Sequence, residues 1–285
     1  MMAQRDHPAG SPDLATLRAH ATNMRRHMLT MARGPGQGYI GQGLGIADAL
    51  AALYFHELRW NPADLAWPER DRFLLSTGHY SIALWAALAE AGVIPLDELT
   101  TYGADDSRLD MSTLDTTPGV EMTGGSLGHG LGHGVGMALG LRLRHSAARV
   151  FVELSDGEMQ EGANWEAAMA AAHFRLHDLV ALIDCNGIQA DGALVLDLEP
   201  VAAKWRAFGW ATQEIDGNDL AAVVTAFAEA RAAEGRPHAI VLRTRPGCGV
   251  PTLERREQAH FVRVEPGEWD TLRRELDRHA EAAHG

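Results

Sequence analysis

Only two cysteines, Cys185 and Cys248, occur among the 285 residues. That is too few for a disulfide framework and suits a reducing, cytoplasmic compartment. Positive charge is also scarce: 25 Lys and Arg stand against 38 Asp and Glu, a formal net charge of -13, and there is no basic cluster. Nucleic acid and anionic membrane surfaces are therefore poor partners, although a local pocket of opposite sign leaves phosphorylated small molecules open. No apolar run reaches bilayer-spanning length, and the N-terminal MMAQRDHPAGSPDL lacks an apolar signal core. Internal repeats are absent, and so is any linker long enough to divide the chain. What remains is a 46% hydrophobic chain able to bury a full α/β core. It is expected as a single domain over residues 13–285 behind a disordered tail of residues 1–12.

The most informative stretch is Phe151–Gly192, FVELSDGEMQEGANWEAAMAAAHFRLHDLVALIDCNGIQADG. Apolar runs at Phe151–Leu154 and Leu179–Ile183 end in Ser155-Asp156-Gly157 and in Asp184-Cys185-Asn186-Gly187. Between them Trp165, Ala168, Met169, Ala172 and Phe174 recur at roughly helical spacing. Strand, helix and strand at this length predict a βαβ unit with parallel strands. Asp156 and Asn186 then stand just past two strand C-termini, on the edge where open α/β sheets bind ligands. One carboxylate, one amide oxygen and turn carbonyls, beside N–H groups at a helix start, can hold magnesium and a phosphate together.

The flanking segments supply more candidates. Leu14–Arg33 reads as an amphipathic helix with Leu14, Leu17, Met24, Met28 and Met31 near one stripe. Gly34–Gly45 is too glycine-dense for a helix or strand and reads as a ligand-approaching loop, with a helix following over Ile46–Glu57. Asp71–Ser76 is a buried strand that delivers Ser76-Thr77-Gly78-His79 to its C-terminal end, ahead of a helix over Tyr80–Ala91. Thr123 opens another helix, in which Gly124, Gly128, Gly132, Gly136 and Gly140 repeat every fourth residue. Each glycine costs a helix about 1 kcal/mol against alanine, so close approach of a second helix or subunit is expected to offset it. His129 and His133 share a helix face, but Gly130 occupies the position of a metalloprotease glutamate and no third ligand is obvious, so zinc is not indicated. Toward the C-terminus, helices over Glu199–Trp210 and Leu220–Glu234 alternate with strands over Ala211–Ile215 and His238–Arg243.

Taken together, Asp156-Gly157, Glu161-Gly162 and Asn186-Gly187-Ile188 resemble the thiamine-diphosphate motif of transketolases, with Ser155 where the family has its first glycine. The resemblance runs over about residues 14–265. It implies an α/β fold, a mostly parallel open sheet with helices on both faces. It implies magnesium, calcium or manganese on Asp156, Asn186 and the Ile188 carbonyl. Thiamine diphosphate would contact His79, Gly125, Leu127, Asp156, Gly157, Glu158 and Asn186, and the catalytic candidates are His79, His260 and Glu161. The loop Arg243–Pro251 is similar to the family loop that precedes a substrate-channel histidine, here His260. His129 stands where the family usually has Gln.

In transketolases the Glu that activates the cofactor lies in a second, pyrimidine-binding domain. The resemblance therefore implies the diphosphate-binding subunit of a split transketolase, moving a two-carbon ketol unit from a ketose or ketose phosphate to an aldehyde. Its partner would be a C-terminal subunit in a two-plus-two assembly, met in part through Glu161 and Glu166. Two substrate-facing histidines of the family fall on Tyr39 and near Ser112, which leaves donor and acceptor open. A 2-oxo-acid dehydrogenase or decarboxylase α-subunit and a non-catalytic cofactor-binding subunit are the alternatives, but TGGSLGHG and DCNGIQADG resemble transketolase more closely.

Overall fold

Strands with apolar residues on both faces need cover on both sides, and that requirement organises this chain. The structure, a computed structural model, describes residues 13–190, 192–232 and 235–284, so the tail expected over residues 1–12 lies outside the described residues. In chain order the elements are α1 (Leu14–Arg33), β1 (Gln37–Gly38), α2 (Ile40–Ala52), β2 (Arg72–Leu75), α3 (Ser81–Glu90), α4 (Gly130–Leu143), β3 (Val150–Ser155), α5 (Gly162–His173) and β4 (Leu179–Cys185). They continue with β5 (Ile188–Gln189), β6 (Gly192–Ala193), α6 (Val201–Ala207), β7 (Ala211–Asp216), α7 (Leu220–Ala232), β8 (His238–Arg243), α8 (Pro251–Glu254), β9 (Val262–Arg263) and α9 (Trp269–His284).

Five strands form one sheet in the order β2-β3-β4-β8-β7, and every neighbouring pair is parallel. Phe151, Val180, Leu182 and Ile240 pack into one apolar cluster with α1, α2, α3 and α7. Val152, Leu154, Ala181 and Val241 pack into a second cluster with α4, α5 and α6. This is the doubly covered, parallel α/β architecture the sequence predicts. Among the described residues no helix is long and apolar enough to cross a membrane.

Four expectations are corrected. The first glycine-rich stretch does not stay a loop: α2 begins at Ile40, takes in Gly41, Gly43 and Gly45, and is buried along all 13 residues. A Cβ on Gly41 would stand 2.3 Å from the carbonyl oxygen of Ala259, and one on Gly45 would stand 3.0 Å from that of Arg245. Gly41 lets α2 press against the backbone just before His260 and Gly45 against the backbone after β8, and this packing offsets their poor helix propensity. Gly41→Ala should therefore destabilise the fold by about 1–3 kcal/mol, the usual cost of overpacking. A thermal melt matching wild type would show that the contact relaxes freely.

The second correction concerns α4, which starts at Gly130 rather than Thr123. Gly125 (φ +123°) and Gly128 (φ +84°) hold the preceding turn in left-handed backbone that a helix cannot accommodate. The glycines of α4 that meet the sheet are Gly130, against Ser76, and Gly134, against Val152; Gly132, Gly136 and Gly140 meet nothing within 4 Å. Third, the buried face of α5 is Asn164, Ala167, Ala168 and Ala171, whereas Met169 and Phe174 are exposed. Fourth, α6 is shorter than expected, since Pro200 stands at its N-cap and the helix closes at Ala207. The expected end of α7 at Glu234 lies outside the described residues.

Candidate functional site

Because β2, β3 and β4 lie side by side and point the same way, the turns after them converge: Ser76–Tyr80, Ser155–Glu158 and Asn186–Gln189. A cleft of about 510 Å³ opens over this edge, with Tyr39, His79, Ser112, Gly125, Leu127, Gly157, Glu158, Ile188 and His260 in its walls.

Asp156 and Asn186 stand in the turns whose neighbours Ser155, Gly157 and Ile188 line the cleft. Asp156 is 3% exposed; its Oδ2 accepts the Gly187 N–H at 2.7 Å and its Oδ1 the Gly157 N–H at 2.8 Å. Burial pushes its pKa up to about 7, opposed by the Gly187 and Gly157 N–H groups and reinforced by the charge of Asp184. The Asn186 amide nitrogen donates to the Tyr80 hydroxyl at 2.8 Å and to Asp184 Oδ2 at 2.7 Å, so among the described residues its Oδ1 accepts only the Ile188 N–H, at 3.0 Å. Asp184 is itself fully buried and takes hydrogen bonds from Tyr80 and Thr244. The donor chemistry fits a hard divalent cation: a desolvated carboxylate with no ion pair among the described residues, an amide oxygen held in place from behind, and turn carbonyls. No group of three His, Cys, Asp or Glu side chains that could hold a metal occurs among the described residues.

The glycine wall is tied to this base by a second buried carboxylate. Glu158 Oε1 accepts the Gly128 N–H at 2.8 Å and the Ser76 hydroxyl, and the Ser76 hydroxyl oxygen accepts the Gly130 N–H at 2.9 Å. Burial pushes the Glu158 carboxyl up to about 7 against those donors. Gly78 and Gly124 touch backbone to backbone, since a Cβ on Gly124 would stand 2.5 Å from the Gly78 Cα. A side chain at either position would separate the turn carrying His79 from the wall carrying Gly125 and Leu127. Ser155, in place of the family glycine, accepts the Glu158 N–H on its Oγ at 3.1 Å. The tight turn is made by capping rather than by glycine freedom.

The mouth of the cleft is aromatic. The antiparallel ribbon of β1 and β9, in register Gln37 with Arg263 and Gly38 with Val262, brings Tyr39 beside Phe261 and His260. Tyr39 stands 4.8 Å from His79, 5.4 Å from His260 and 5.0 Å from Phe261 between ring centroids. Gln42 holds His260 through Nδ1 at 2.6 Å. Burial, and then the neighbouring His260, lower the His79 pKa to about 3. His79 is thus a neutral imidazole throughout the physiological range. An unfolded chain takes up this proton near the ordinary value of 6.5, but the folded chain does not until about 3, so acid favours unfolding across that window. Chemical denaturation should show His79→Gln losing less stability than wild type between pH 7 and pH 4. Parallel pH profiles would contradict that environment for His79.

Of the candidate residues, His79, Gly125, Leu127, Gly157, Glu158, Ile188 and His260 line the cleft; Asp156 and Asn186 do not line it but adjoin Ser155, Gly157 and Ile188 in the chain. Glu161 is not among them. It is exposed, as is Glu166, and it lies outside the cleft beside Gly128. His129 and His133 are also exposed on the first turn of α4. Tyr80, Asp184, Thr77 and Glu153 are the residues sequence reasoning misses. Glu153 is fully buried and accepts the Thr77 hydroxyl at 2.5 Å, just before His79. The available signal was an acid inside each of two apolar strand runs, where a charge persists only if it is partnered.

Fold and site together define an α/β protein that binds its ligand over the C-terminal edge of a parallel sheet, at adjacent strand ends. The model of the family "Transketolase, thiamine diphosphate binding domain" matches residues 18–283, and the chain belongs to this family. It is 52% identical over 280 residues to a putative uncharacterized transketolase family protein of Sinorhizobium fredii, covering 97% of this chain and 98% of that one. It is 39% identical to a 6-deoxy-6-sulfo-D-fructose transketolase subunit of a Clostridium species, covering 91% of this chain and 96% of that one. With the solved transketolase of Campylobacter jejuni it shares a TM-score of 0.86 at 25% identity, covering 95% of this chain but 43% of that chain.

Proposed function

We propose that this chain is the diphosphate- and metal-binding subunit of a two-chain transketolase, transferring a two-carbon ketol unit from a ketose donor to an aldehyde acceptor. The observation that carries the reading is the meeting, at adjacent strand ends, of the Asp156–Asn186–Ile188 oxygen set with the Gly125–Leu127 wall and the His79–His260 pair. Asp156, the Asn186 Oδ1 and the Ile188 carbonyl would hold magnesium, or calcium or manganese, and with it the diphosphate. Gly125 and Leu127 would flank the rings of thiamine diphosphate, which when bound supplies a stabilised carbanion. His79 offers hydrogen bonding without charge at the reacting end, and His260 stands at the mouth where substrate enters. Glu161 and Glu166 present carboxylates to a partner chain that would carry the activating Glu.

The relatives support a separate partner. The Clostridium relative and an Actinobacillus succinogenes relative, 38% identical over 248 residues, are both named transketolase subunits, and this chain covers 96% and 90% of their lengths. Their names assign them a sulfonated and a phosphorylated sugar. The test is reconstitution of the full chain with a pyrimidine-domain transketolase chain from the same source, in thiamine diphosphate and magnesium. We expect ketol transfer from the mixture and none from this chain alone. Robust transfer by the demonstrably partner-free chain, or turnover only of 2-oxo acids with a dihydrolipoyl carrier, would overturn the assignment.

A further inference from the structure

Gln42 lies on the first turn of α2, 1% exposed, and no other polar side chain occurs in that helix before Asp48. A buried primary amide is costly unless it is hydrogen-bonded, so its partners are informative. Its Nε2 stands 2.6 Å from Nδ1 of His260, and its Oε1 is buried with no hydrogen-bond partner among the described residues. An amide nitrogen donates and does not accept, so Nδ1 of His260 is the acceptor. A neutral imidazole whose Nδ1 accepts carries its proton on Nε2. The reverse orientation of the amide would bury the NH2 group, two donors, where Oε1 now stands without a partner. Stranded donors are rarer in folded proteins than under-satisfied carbonyl oxygens, which favours the orientation seen.

The contact is fixed from both sides. One residue earlier in α2, Gly41 lies against the Ala259 carbonyl, where a Cβ would stand 2.3 Å from the oxygen. Consecutive residues of α2 thus hold consecutive residues of the segment that enters β9: Gly41 the backbone at Ala259, Gln42 the ring at His260. The ring is also confined by its neighbours, since Tyr39 meets it edge-on at 83° between planes and the His79 ring centroid is 5.2 Å away. His260 lines the reaction cleft and Gln42 does not, so whatever Gln42 does for the cleft it does through that ring.

We infer that Gln42 is a positioning residue of the reaction cleft: it fixes His260 as the Nε2–H tautomer, so that the ring donates a hydrogen bond to a hydroxyl or carbonyl oxygen of the sugar and takes no proton from it. The sugar as ligand rests on the transketolase reading, whereas the tautomer follows from the amide contact alone. Tyr39 and Ser112 stand where the family resemblance implies imidazoles, which leaves His79 and His260 as the imidazoles in the walls of the cleft among the described residues. Fixing one of them as a donor narrows what the cleft can accept.

Nitrogen NMR of the full chain with isotope-labelled histidine reads the tautomer directly. Wild type is expected in the Nε2–H form. Gln42→Met, of similar length but without an amide, should let both tautomers appear. Gln42→Glu, which only accepts while ionised, should turn the ring to Nδ1–H or to imidazolium. In the reconstituted two-chain enzyme Gln42→Met should lower kcat/KM by up to about 100-fold, the scale of a misplaced catalytic group. In a His260→Asn background the same substitution should change kcat/KM by less than about twofold, because Gln42 acts through that ring. A merely structural role would cost as much in both backgrounds. An Nδ1–H tautomer in wild type would overturn the role, and so would equal losses in the two backgrounds. If Gln42→Met does not fold, the wild-type tautomer decides alone. A reconstituted enzyme without ketol transfer would count against the transketolase reading instead, and the wild-type tautomer would still decide what Gln42 does to the ring.

Discussion

Asp156→Ala should abolish metal-dependent thiamine-diphosphate binding while leaving the fold intact. The loss should exceed the roughly 100-fold that removing an outer-shell partner costs a metal site, because on the proposed assignment the charged ligand itself is removed. The fold should survive for an electrostatic reason. Asp156 is a buried carboxylate with no ion pair among the described residues, and burial raises its pKa to about 7. In the cation-free chain this charge is a cost to folding, offset in part by the Gly157 and Gly187 N–H groups. Asp184→Asn, which weakens the support behind Asn186, Tyr80 and Thr244 and removes a charge beside Asp156, should reduce affinity about 10- to 100-fold. Calorimetry of Asp156→Ala with its partner, giving unchanged cofactor affinity, would remove this residue from the site.

Gly132→Leu and Gly136→Leu should block assembly, and with it activity, while making the isolated chain more stable. Both glycines lie on the solvent side of α4, and an added Cβ meets nothing within 4 Å. Replacing either with leucine improves helix propensity by up to about 1 kcal/mol, so a melting temperature at or above wild type is expected. On the proposed assembly, two copies of this chain with two of its partner around a two-fold axis, the same face is covered and the leucines collide. Light scattering is the readout. Wild-type assembly by both variants, or an active one-to-one complex, would exclude this face from the interface.

The legible parts of the molecule were those set by short stretches of chain. Strand β3 with the turn at Asp156, and β4 with the turn at Asn186, each declare themselves within about ten residues, by an apolar run followed by a polar turn. Helix α1 was legible for the same reason. The first glycine segment was not: local propensity argues against a helix at Gly41, Gly43 and Gly45, and only the backbone of Ala259 and Arg245, some two hundred residues away, explains why α2 starts at Ile40. In α4 the eye follows the regular stripe of Gly132, Gly136 and Gly140. The glycines that contact the sheet are Gly130 and Gly134, which the four-residue repeat leaves out.

The sequence by itself determined the class of sheet, the two strand ends that carry Asp156 and Asn186, and the family. The sheet class and the strand ends depend on turn chemistry and periodicity carried within one segment, and the family on a motif resemblance carried by those same segments. The tertiary structure alone decided which groups hold those two side chains in place and what lies next to them. Asp184 meets Tyr80 across 104 positions and Thr244 across 60. Gln42 meets His260 across 218. Tyr39 comes to lie beside His260 and Phe261 because a two-residue ribbon pairs Gln37 with Arg263 and Gly38 with Val262. Such contacts follow from how the parallel strands and their covering helices pack, and no local pattern in the chain encodes a neighbour two hundred residues away.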